Sequence, residues 1–228
     1  MSLLKDKIKN IINKKKTNIC LSADVTSIAE LFSLIELLGD NICMLKLHHD
    51  IIVDFFDNLN YTINVLNFYK DKYDFVIWED RKFADIGYIM EKQVKNHISK
   101  WADVISVHPI SGVESVIQLN FIPVILIGEL SSTGSLTTNE YSSKVEEMED
   151  YLSNLVGYVC QHKMGKNVLN FVPGISLLSG VDNKGQQYRS LSDNYLDFAD
   201  IFVVGRAITN SDNPKKTILN MLSIINNV

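Results

Sequence analysis

The sequence predicts a single (β/α)8 barrel domain spanning all 228 residues. Eight short apolar, β-branched segments recur along the chain, and helical patterns separate most of them. The segments are continuously apolar rather than alternating, which is typical of strands buried on both faces of a parallel sheet. Alternating strands and helices favour a parallel α/β sheet, and eight units in this length favour a closed barrel over an open doubly wound sheet. The GxGxxG signature of dinucleotide-binding proteins does not follow the first strand.

The predicted elements follow one another regularly. The strands occupy residues 18–24, 42–48, 74–80, 102–108, 122–130, 155–161, 168–174 and 200–206. The helical patterns occupy residues 27–38, 61–71, 84–100, 111–119, 140–153, 191–198 and 214–226. The connection HKMGKN between the sixth and seventh strands is too short for a full helix. In residues 1–17, apolar side chains at helical spacing predict a helix that packs on the barrel, although a basic amphipathic helix could also lie on a membrane.

Composition narrows the class of protein. A hydrophobic share of 46% supplies a substantial core, and a net charge of −5 offers no basic face for nucleic acid. No apolar run approaches the ~18 to 20 residues of a membrane span, and the start of the chain lacks a secretory apolar core. Cys20, Cys43 and Cys160 lie far apart inside apolar runs, which indicates buried free thiols in a reducing compartment. We therefore expect a cytoplasmic protein with no membrane or nucleic-acid partner.

Candidate functional residues are sought at the carboxyl ends of the strands, where barrels of this kind carry their sites. Almost every predicted strand ends in a polar group or a turn residue: Asp24, Lys46, His48, Asp80, Lys82, His108, Glu129, Ser131, Gln161, His162, Pro173, Gly205 and Arg206. Strand ends meet solvent in any barrel, so the identity of these groups matters more than their number.

The segment WEDRKFADIG, residues 78–87, concentrates charges of both signs. Asp80 and Lys82 are two residues apart at a strand end, so they can point to the same side. Lys46 comes from the adjacent strand, and Asp85 is expected in the first turn of the next helix, where a negative charge is favoured. A solvated charge cluster would explain D-x-K-x-x-D equally well, but its place on the barrel favours a functional array.

A second cluster indicates a phosphate site. In VVGRA, residues 203–207, Gly205 and Arg206 follow the eighth strand, where these barrels commonly bind phosphate. The alternative is a surface arginine paired with a carboxylate. The polar, glycine-containing segment at residues 173–189 is expected to close over a ligand, although a plain surface loop is also possible.

Three histidines at strand ends raise the question of a metal. His48, His108 and His162 could supply imidazole ligands, but no carboxylate at helical spacing supports them and no HxH pair occurs among them. We therefore predict no metal site and interpret them as hydrogen-bonded structural groups.

Several short motifs carry a resemblance to a known family. In chain order they are LSAD, MLKLHHDI, WEDRKFADIG (usually beginning with Phe), WAD, ELSSTGSL, PGI, GQQY and VVGR. Together they make the chain similar to the orotidine 5′-monophosphate decarboxylases, above all the eukaryotic-type enzymes, over about residues 17–206. The resemblance implies cofactor-independent conversion of orotidine 5′-monophosphate to UMP and CO₂ in de novo pyrimidine biosynthesis.

The resemblance also implies a role for each charged position. Asp24 and Lys46 would contact the ribose hydroxyls, and Lys46 would join the charged array. Asp80 and Lys82 would face the orotate carboxylate and C6, with Lys82 as the proton donor. Asp85 would reach across a homodimer interface and complete the partner's array, so that the active sites are shared.

The remaining positions would hold the base and the phosphate. Ser131 would read the pyrimidine amide, and Pro173 would lie against the base. The phosphate would be held by Gln186, Tyr188 and Arg206, and Gln186 would also bridge toward the base.

The chain departs from the family pattern at a few places. Leu47 and Ile89 stand where the family usually has threonine, and the second threonine helps the partner's ribose contact. The connection between the sixth and seventh strands is short, and the length leaves no room for a fused orotate phosphoribosyltransferase, so a monofunctional enzyme is expected.

Two other functions are compatible with parts of the pattern. One is a Mg²⁺-dependent phosphosugar decarboxylase or aldolase that shares D-x-K-x-x-D, against which GQQY and SSTGS favour a pyrimidine. The other is a non-catalytic nucleotide-binding protein, against which the complete charged array favours an enzyme.

Overall fold

Eight parallel strands form a closed barrel in the computed structural model, which describes residues 3–177, 179–181, 185–191 and 197–226. The barrel strands are β1 (Ile19–Ser22), β2 (Met44–Leu47), β3 (Val76–Phe83), β4 (Val104–Val107), β5 (Val124–Ile127), β6 (Leu155–Val159), β7 (Leu169–Pro173) and β11 (Ile201–Val204). Each barrel strand pairs with the next one along the chain, and β11 closes the barrel on β1 through the register of Cys20 with Val203. The predicted fold class is confirmed.

Helices follow most of the barrel strands. They are α1 (Leu3–Lys15), α2 (Ile28–Leu38), α3 (Leu59–Tyr73), α4 (Gly87–Asn96), α5 (Val113–Ile117), α6 (Asn139–Glu146), α7 (Arg206–Thr209) and α8 (Pro214–Ile225). Three of the longer helices have a polar N-cap residue: Ser27 for α2, Asn58 for α3 and Asn213 for α8. Each of these side chains accepts a hydrogen bond from a backbone N–H in the first turn of its helix. These contacts satisfy donors that a helix start leaves unpaired.

Several predicted boundaries need correction. The pattern at residues 84–100 is α4 followed by a 3-10 turn at Ile98–Lys100, and the pattern at 140–153 is α6 followed by a 3-10 turn at Glu147–Tyr151. In both places the chain tightens after two or three turns, which apolar spacing does not reveal. The predicted helix at 191–198 lies mostly outside the described residues. Residues 160–168, between β6 and β7, contain no helix, as predicted.

The segment after β7 contains structure that the sequence did not predict. Three short strands form a separate small sheet: β8 (Ile175–Ser176), β9 (Gly180–Val181) and β10 (Gln187–Ser190). β10 pairs in parallel with β8 and antiparallel with β9. Strands of two to four residues are too short to show a periodic pattern, so the sequence predicted a closing loop here and not the three strands within it.

The amino end of the barrel is closed by α1. Ile8 and Ile11 are buried in the same apolar cluster as the residues that fill the barrel interior, such as Trp78 and Phe171. The Lys5 ammonium donates to the carbonyl of Asn167, just before β7. Full burial of each isoleucine contributes about 1.5–3 kcal/mol, which is sufficient to hold an amphipathic helix in place. None of the helices in the described ranges has the length and apolar character needed to cross a membrane.

Candidate active site

A cavity of about 210 Å³ lies at the carboxyl ends of the barrel strands. It is lined by Ser22, Asp24, Lys46, Trp78, Asp80, Lys82, Leu130, Ser131, Ser132, Val159, Pro173, Gly174, Ile175, Gln186, Tyr188, Val203, Gly205 and Arg206. All the residues predicted to act in catalysis or substrate binding, except Asp85, line this cavity. The other polar residues predicted at strand ends do not line it: His48, His108, Glu129, Gln161 and His162. The structure therefore brings together residues that are as far apart in sequence as Asp24 and Arg206.

One wall of the cavity carries an alternating array of carboxylates and ammonium groups. The Nζ atoms of Lys46 and Lys82 lie 2.9 and 2.7 Å from the same oxygen, Oδ2 of Asp80. On the other side of Lys46, its Nζ atom lies 3.6 Å from Asp24 Oδ1. The order along the wall is thus Asp24, Lys46, Asp80 and Lys82, from the ends of three neighbouring strands.

The backbone at Lys82 explains how it reaches Asp80. β3 runs to Phe83, three residues beyond the predicted end of this strand, and its pairing with β4 shifts register between Glu79 and Phe83. Lys82 has a φ of +57°, a left-handed conformation that residues other than glycine adopt infrequently. Such conformations persist where the surroundings impose them and concentrate at functional sites. The expected contact of Asp80 with Lys82 therefore forms through an irregularity in the strand.

Asp80 is a buried carboxylate that stays ionised. Its Oδ1 atom accepts a hydrogen bond of 2.7 Å from the Ser106 hydroxyl, and its Oδ2 atom faces the two ammonium groups. Burial alone would raise the pKa of Asp80, but Lys46 and Lys82 together hold it well below the usual range. The negative charge of Asp80 is therefore fixed in the wall of the cavity at neutral pH.

The pKa values of Lys46 and Asp24 are likewise set by burial and by the opposite charges beside them. Burial lowers the pKa of Lys46, yet the carboxylates of Asp80 and Asp24 outweigh it and the net pKa is raised. Burial raises the pKa of Asp24, but Lys46 and a hydrogen bond of 2.8 Å from the Ser22 hydroxyl lower it overall. Both groups are therefore charged at neutral pH, and each one stabilises the ionised form of the other.

His48 and Ser106 belong to this array, although the sequence analysis did not assign them to it. His48 Nε2 lies 3.0 Å from Lys46 Nζ and 3.4 Å from Asp80 Oδ2. Burial, followed by the nearby Lys46, lowers the pKa of His48 to about 4, so the ring is neutral and can accept from the ammonium group. Ser106 is the one polar residue in the apolar run VISV of β4, a signal that could have identified it.

The opposite wall is formed by the segment after β7. Gln186 Nε2 donates to Ser131 Oγ over 2.8 Å, and the N–H of Gln187 donates to the Ser131 carbonyl over 3.2 Å. A further backbone bond of 2.9 Å joins the Thr133 N–H to the Gly185 carbonyl. Residues 185–187 are thus fastened to residues 131–133 across the cavity. Part of the predicted closing segment, residues 178 and 182–184, lies outside the described residues.

Gly174 and Gly205 allow neighbouring segments of the cavity lining to pack closely against each other. Gly174 has a φ of +75°, and a Cβ atom added there would lie 2.4 Å from the Gln187 carbonyl oxygen. At Gly205 an added Cβ would lie 3.2 Å from the Cβ of Ser22.

The end of the eighth barrel strand differs from the prediction. The predicted strand ended at Arg206, but β11 ends at Val204 and Arg206 begins α7, because the Gly205 carbonyl accepts the N–H groups of Ile208 and Thr209.

The rim of the cavity carries a cation beside an aromatic ring. The guanidinium carbon of Arg206 lies 5.7 Å from the ring centroid of Tyr188, and both side chains line the cavity. A guanidinium group offers a planar set of donors that suits phosphate oxygens. Pro173, the last residue of β7, also lines the cavity.

Asp85 lies outside the cavity and is exposed. Its Oδ1 accepts the N–H of Ile86 over 2.7 Å, and its carbonyl accepts the Ser111 hydroxyl over 2.7 Å. The expectation that Asp85 opens the helix was wrong, because β3 continues to Phe83 and α4 begins only at Gly87. Within one chain, Asp85 is not part of the charged array.

The three histidines considered as metal ligands do not form a common cluster. His48 belongs to the charged array, whereas His108 Nδ1 lies 3.3 Å from the Tyr141 hydroxyl and His162 Nδ1 lies 3.2 Å from Glu129 Oε1. Elsewhere, in the part of the chain that the structure describes, a different group of possible ligands comes together: His49, Asp50 and Glu79.

The fold and the cavity define a (β/α)8 barrel with a preorganised Lys–Asp array at one wall and an arginine at the rim. Residues 17–221 match the model of the family described as "Orotidine 5'-phosphate decarboxylase / HUMPS family". The chain belongs to this family, as the motifs predicted.

Individual relatives support this assignment. The chain is 38% identical to orotidine 5'-phosphate decarboxylase of Pachysolen tannophilus, over 87% of this chain and 80% of that protein. It is 36% identical to the Saccharomyces cerevisiae protein of the same name, over 89% of this chain and 82% of that protein. It is also 37% identical to uridine 5'-monophosphate synthase of Bos taurus, over 91% of this chain and 45% of that longer protein.

A solved structure has the same fold. The crystal structure of orotidine 5'-phosphate decarboxylase from Pyrococcus horikoshii matches with a TM-score of 0.69 and covers 92% of this chain and 100% of its own. At 21% sequence identity, this likeness concerns the barrel alone.

Proposed function

We propose that this chain decarboxylates orotidine 5′-monophosphate to UMP and CO₂ without a cofactor, as a step of de novo pyrimidine biosynthesis. The observation that carries the proposal is the buried Asp80 carboxylate held between two ammonium groups, Lys46 at 2.9 Å and Lys82 at 2.7 Å, in the wall of the cavity. The names of the family and of its relatives indicate the substrate on which such an array would act.

The reaction needs a positive charge close to C6 of the pyrimidine. When the C6–carboxylate bond breaks, CO₂ leaves and the electron pair stays in the ring plane at C6, where the ring carbonyls delocalise it poorly. A fixed ammonium group stabilises this developing charge electrostatically and then donates a proton to C6. Lys82 fills this role, because Asp80 and the left-handed backbone hold its ammonium group in place.

Asp80 contributes by its fixed negative charge. The substrate carboxylate, bound next to Lys82, would lie close to the ionised Asp80, and the repulsion between them falls as CO₂ departs. The two lysines keep Asp80 ionised, so it cannot avoid this repulsion by taking up a proton. Lys46 and Asp24, one step further along the wall, are placed to bind the ribose hydroxyls.

The remaining wall holds the base and the phosphate. Ser131 reads the pyrimidine amide, with Pro173 against the base. The phosphate lies at the rim, where Gly205 gives space and where Gln186, Tyr188 and Arg206 bind it. Binding energy from this remote phosphate supports closure of the segment fastened to residues 131–133, which excludes water from the charged array.

The direct test is an assay that follows the loss of orotidylate absorbance, with and without EDTA. Turnover that persists in EDTA supports the proposal. Turnover of a phosphosugar that EDTA abolishes would point instead to a Mg²⁺-dependent barrel decarboxylase or aldolase. Nucleotide binding without any turnover would mean that the chain is a non-catalytic binding protein.

The second part of the proposal is a homodimer with C2 symmetry and shared active sites. Asp85 is exposed, and so are Ile86 and Tyr88, close to it in the chain, and Ile110, whose neighbour Ser111 donates a hydrogen bond to the Asp85 carbonyl. Exposed apolar side chains that form a patch are typical of a protein–protein interface. Ile89 is also partly exposed, and in the dimer it packs at the interface in place of the threonine that would contact the partner's ribose.

Subunit exchange tests the shared site. Chains carrying Lys82→Ala and chains carrying Asp85→Ala should each be inactive, and their mixture should regain activity. A heterodimer has one site with both lesions and one with neither, so random pairing restores about a quarter of the wild-type sites. A mixture that exchanges subunits and stays inactive would mean that each site is built from one chain.

The partners and location follow from the same function. We propose a cytoplasmic enzyme with a nucleotide substrate and with neither a nucleic-acid nor a membrane partner. The net charge of −5 supports the first exclusion, because a nucleic-acid-binding surface needs a basic face.

A further inference from the structure

A second buried pair, Glu79 and His49, lies behind the charged array on the outer side of the same two strands. Glu79 is fully buried, and its Oε2 atom accepts the backbone N–H of His49 over 3.2 Å. Its other oxygen, Oε1, lies 3.1 Å from Nδ1 of the His49 ring. Side chains alternate across a strand, so Glu79 points away from the cavity that its neighbours Trp78 and Asp80 line.

The imidazole of His49 is held by a cage of rings. Four ring centroids lie close to that of His49: Phe55 at 5.7 Å, Phe56 at 5.6 Å, His97 at 5.4 Å and Trp101 at 5.9 Å. Phe55 and Trp101 are buried in the apolar core, whereas His97 is partly buried and Phe56 is exposed. Close packing on several sides leaves the ring little freedom to shift, so Glu79 is attached to a rigid support.

Glu79 and His49 are each adjacent in the chain to a residue of the charged array. Glu79 directly precedes Asp80, and His49 directly follows His48, which contacts both Lys46 and Asp80. Leu47 and Glu79 form the last regular pair in the register of β2 with β3. Beyond this pair β2 ends and β3 enters the irregular stretch that turns Lys82 into the cavity, so Glu79 and His49 bridge the two strands where their regular pairing stops.

Stability alone does not account for such a pair. Removing a carboxylate and an imidazole from water is unfavourable, and apolar side chains of similar volume are often as stable or more stable. Burial raises the pKa of Glu79, and the contact with His49 opposes that rise. What the pair provides, and what apolar packing would not, is the hydrogen bond from the His49 backbone N–H to Glu79 Oε2, with the imidazole 3.1 Å from the other carboxylate oxygen, between two strand ends.

We propose that Glu79 and His49 are positioning residues that fix the ends of β2 and β3, so that Lys46, Asp80 and Lys82 keep the spacing needed for the reaction. This inference rests on the proposed decarboxylase activity. Displacement of reacting groups by about 1 Å can cost about 10²-fold in rate, so a loosened strand end should lower turnover strongly. The phosphate-binding rim comes from β10 and α7, away from β2 and β3, and should be unaffected.

The test compares two histidines of the same aromatic cluster. His49→Leu removes the imidazole beside Glu79 Oε1 and leaves the backbone N–H bond to Oε2, His49→Gln keeps a side-chain donor near Oε1, and His97→Leu is the control because its ring packs on His49 at 5.4 Å. We measure kcat, KM for orotidine 5′-monophosphate, the inhibition constant of UMP and the melting temperature of each variant. We expect His49→Leu to lower kcat about 10- to 100-fold while KM and UMP binding change less than about threefold.

The other variants separate positioning from simple support of the fold. His49→Gln should return kcat to within about fivefold of the wild type, and His97→Leu should lower the melting temperature while kcat stays within about twofold. If His49→Leu fails to fold, Glu79→Gln carries the test, with kcat expected about three- to tenfold lower at unchanged KM.

Three results would overturn the inference. The first is an unchanged kcat in the folded variants of His49 or Glu79. The second is an equal loss of kcat and UMP binding, matched by His97→Leu, which would show a structural role. The third is wild-type turnover that EDTA lowers and Zn²⁺ restores, which would mean that His49, Asp50 and Glu79 hold a cation. A wild-type chain without turnover would instead refute the proposed activity itself.

Discussion

Two lysines at opposite ends of the barrel show how differently one ammonium group can be used. At the carboxyl end, Lys46 is buried between carboxylates, 2.9 Å from Asp80 and 3.6 Å from Asp24. At the amino end, Lys15 is half-buried and faces backbone carbonyls. It donates to the carbonyls of Gly39, Ile42, Tyr73 and Asp74 at 2.9, 2.6, 2.6 and 3.1 Å.

The surroundings decide what each charge does. The carbonyls around Lys15 come from the ends of α2 and α3 and the turns after them, where helices carry partial negative charge and unpaired acceptors. Burial lowers the pKa of Lys15 to about 8, whereas carboxylates raise the pKa of Lys46. Lys15 therefore fastens helices together, whereas Lys46 holds two carboxylates in their ionised form. On the proposed function, the amino end of the barrel maintains the fold, and the carboxyl end performs the chemistry.

The largest expected effect lies at the carboxyl end, at Lys82. On the proposed function, Lys82→Ala removes both the charge near C6 and the proton donor, so we expect turnover to fall at least ~10⁴-fold. Lys46 still partners Asp80, so the chain should stay folded and bind UMP. Steady-state assays, calorimetric titration with UMP and a melting curve measure these outcomes. Substantial residual turnover would remove Lys82 from the reaction centre.

A smaller loss is expected at the rim. If Arg206 binds the phosphate as proposed, Arg206→Ala removes a charge-assisted contact and weakens closure, which should lower kcat/KM about 10²- to 10³-fold. Turnover of a truncated nucleoside without phosphate should hardly change, since that substrate never uses the contact. Equal losses on both substrates would mean that Arg206 only supports the structure.

A substitution at the amino end of the barrel should lower stability and leave activity nearly unchanged. Lys15→Met leaves several carbonyls without their donor, which should lower the free energy of unfolding by about 1–3 kcal/mol. We expect kcat to stay within about twofold, because the lesion is a barrel length away from the cavity. Urea unfolding and the standard assay on the same sample make the comparison. A loss of turnover in a stable Lys15→Met protein would contradict the division between the two ends.

The last expected effect concerns protonation at the carboxyl end and leaves activity at neutral pH unchanged. The pKa of His48 is about 4 in the folded chain, against about 6.5 in an unfolded one. The unfolded state therefore takes up the proton first as pH falls, and stability is lost between about pH 6.5 and 4, by roughly 3 kcal/mol in total. An NMR titration should place the His48 midpoint near pH 4, and His48→Gln should flatten this part of the stability profile. A midpoint near 6.5 would place His48 outside the array.

The sequence was sufficient for the parts of the site that depend on strand ends. Asp80, Lys82 and Lys46 were expected to meet because carboxyl ends of parallel strands share one edge, and their contacts at Asp80 agree with this. The left-handed backbone of Lys82 was not predictable, because the pairing of β3 with β4 imposes it.

Other features depend on contacts between distant segments. The small sheet of β8, β9 and β10 is too short for a periodic signal. The pairing of Glu79 with His49 follows from a fold that brings the ends of β2 and β3 together. The role expected for Asp85 needs a second chain, so it stays a prediction from the family resemblance.

The central claim is that the carboxyl-end array, with Lys82 as proton donor, converts orotidine 5′-monophosphate to UMP. It is tested most directly by proton NMR of the reaction in D₂O, with the wild type and Lys82→Ala side by side. Exchangeable ammonium protons become deuterons, so we predict UMP with one deuterium at C6 from the wild type and none formed at a measurable rate by the variant. UMP formed by Lys82→Ala at the wild-type rate, or no UMP from the wild type, would contradict the account.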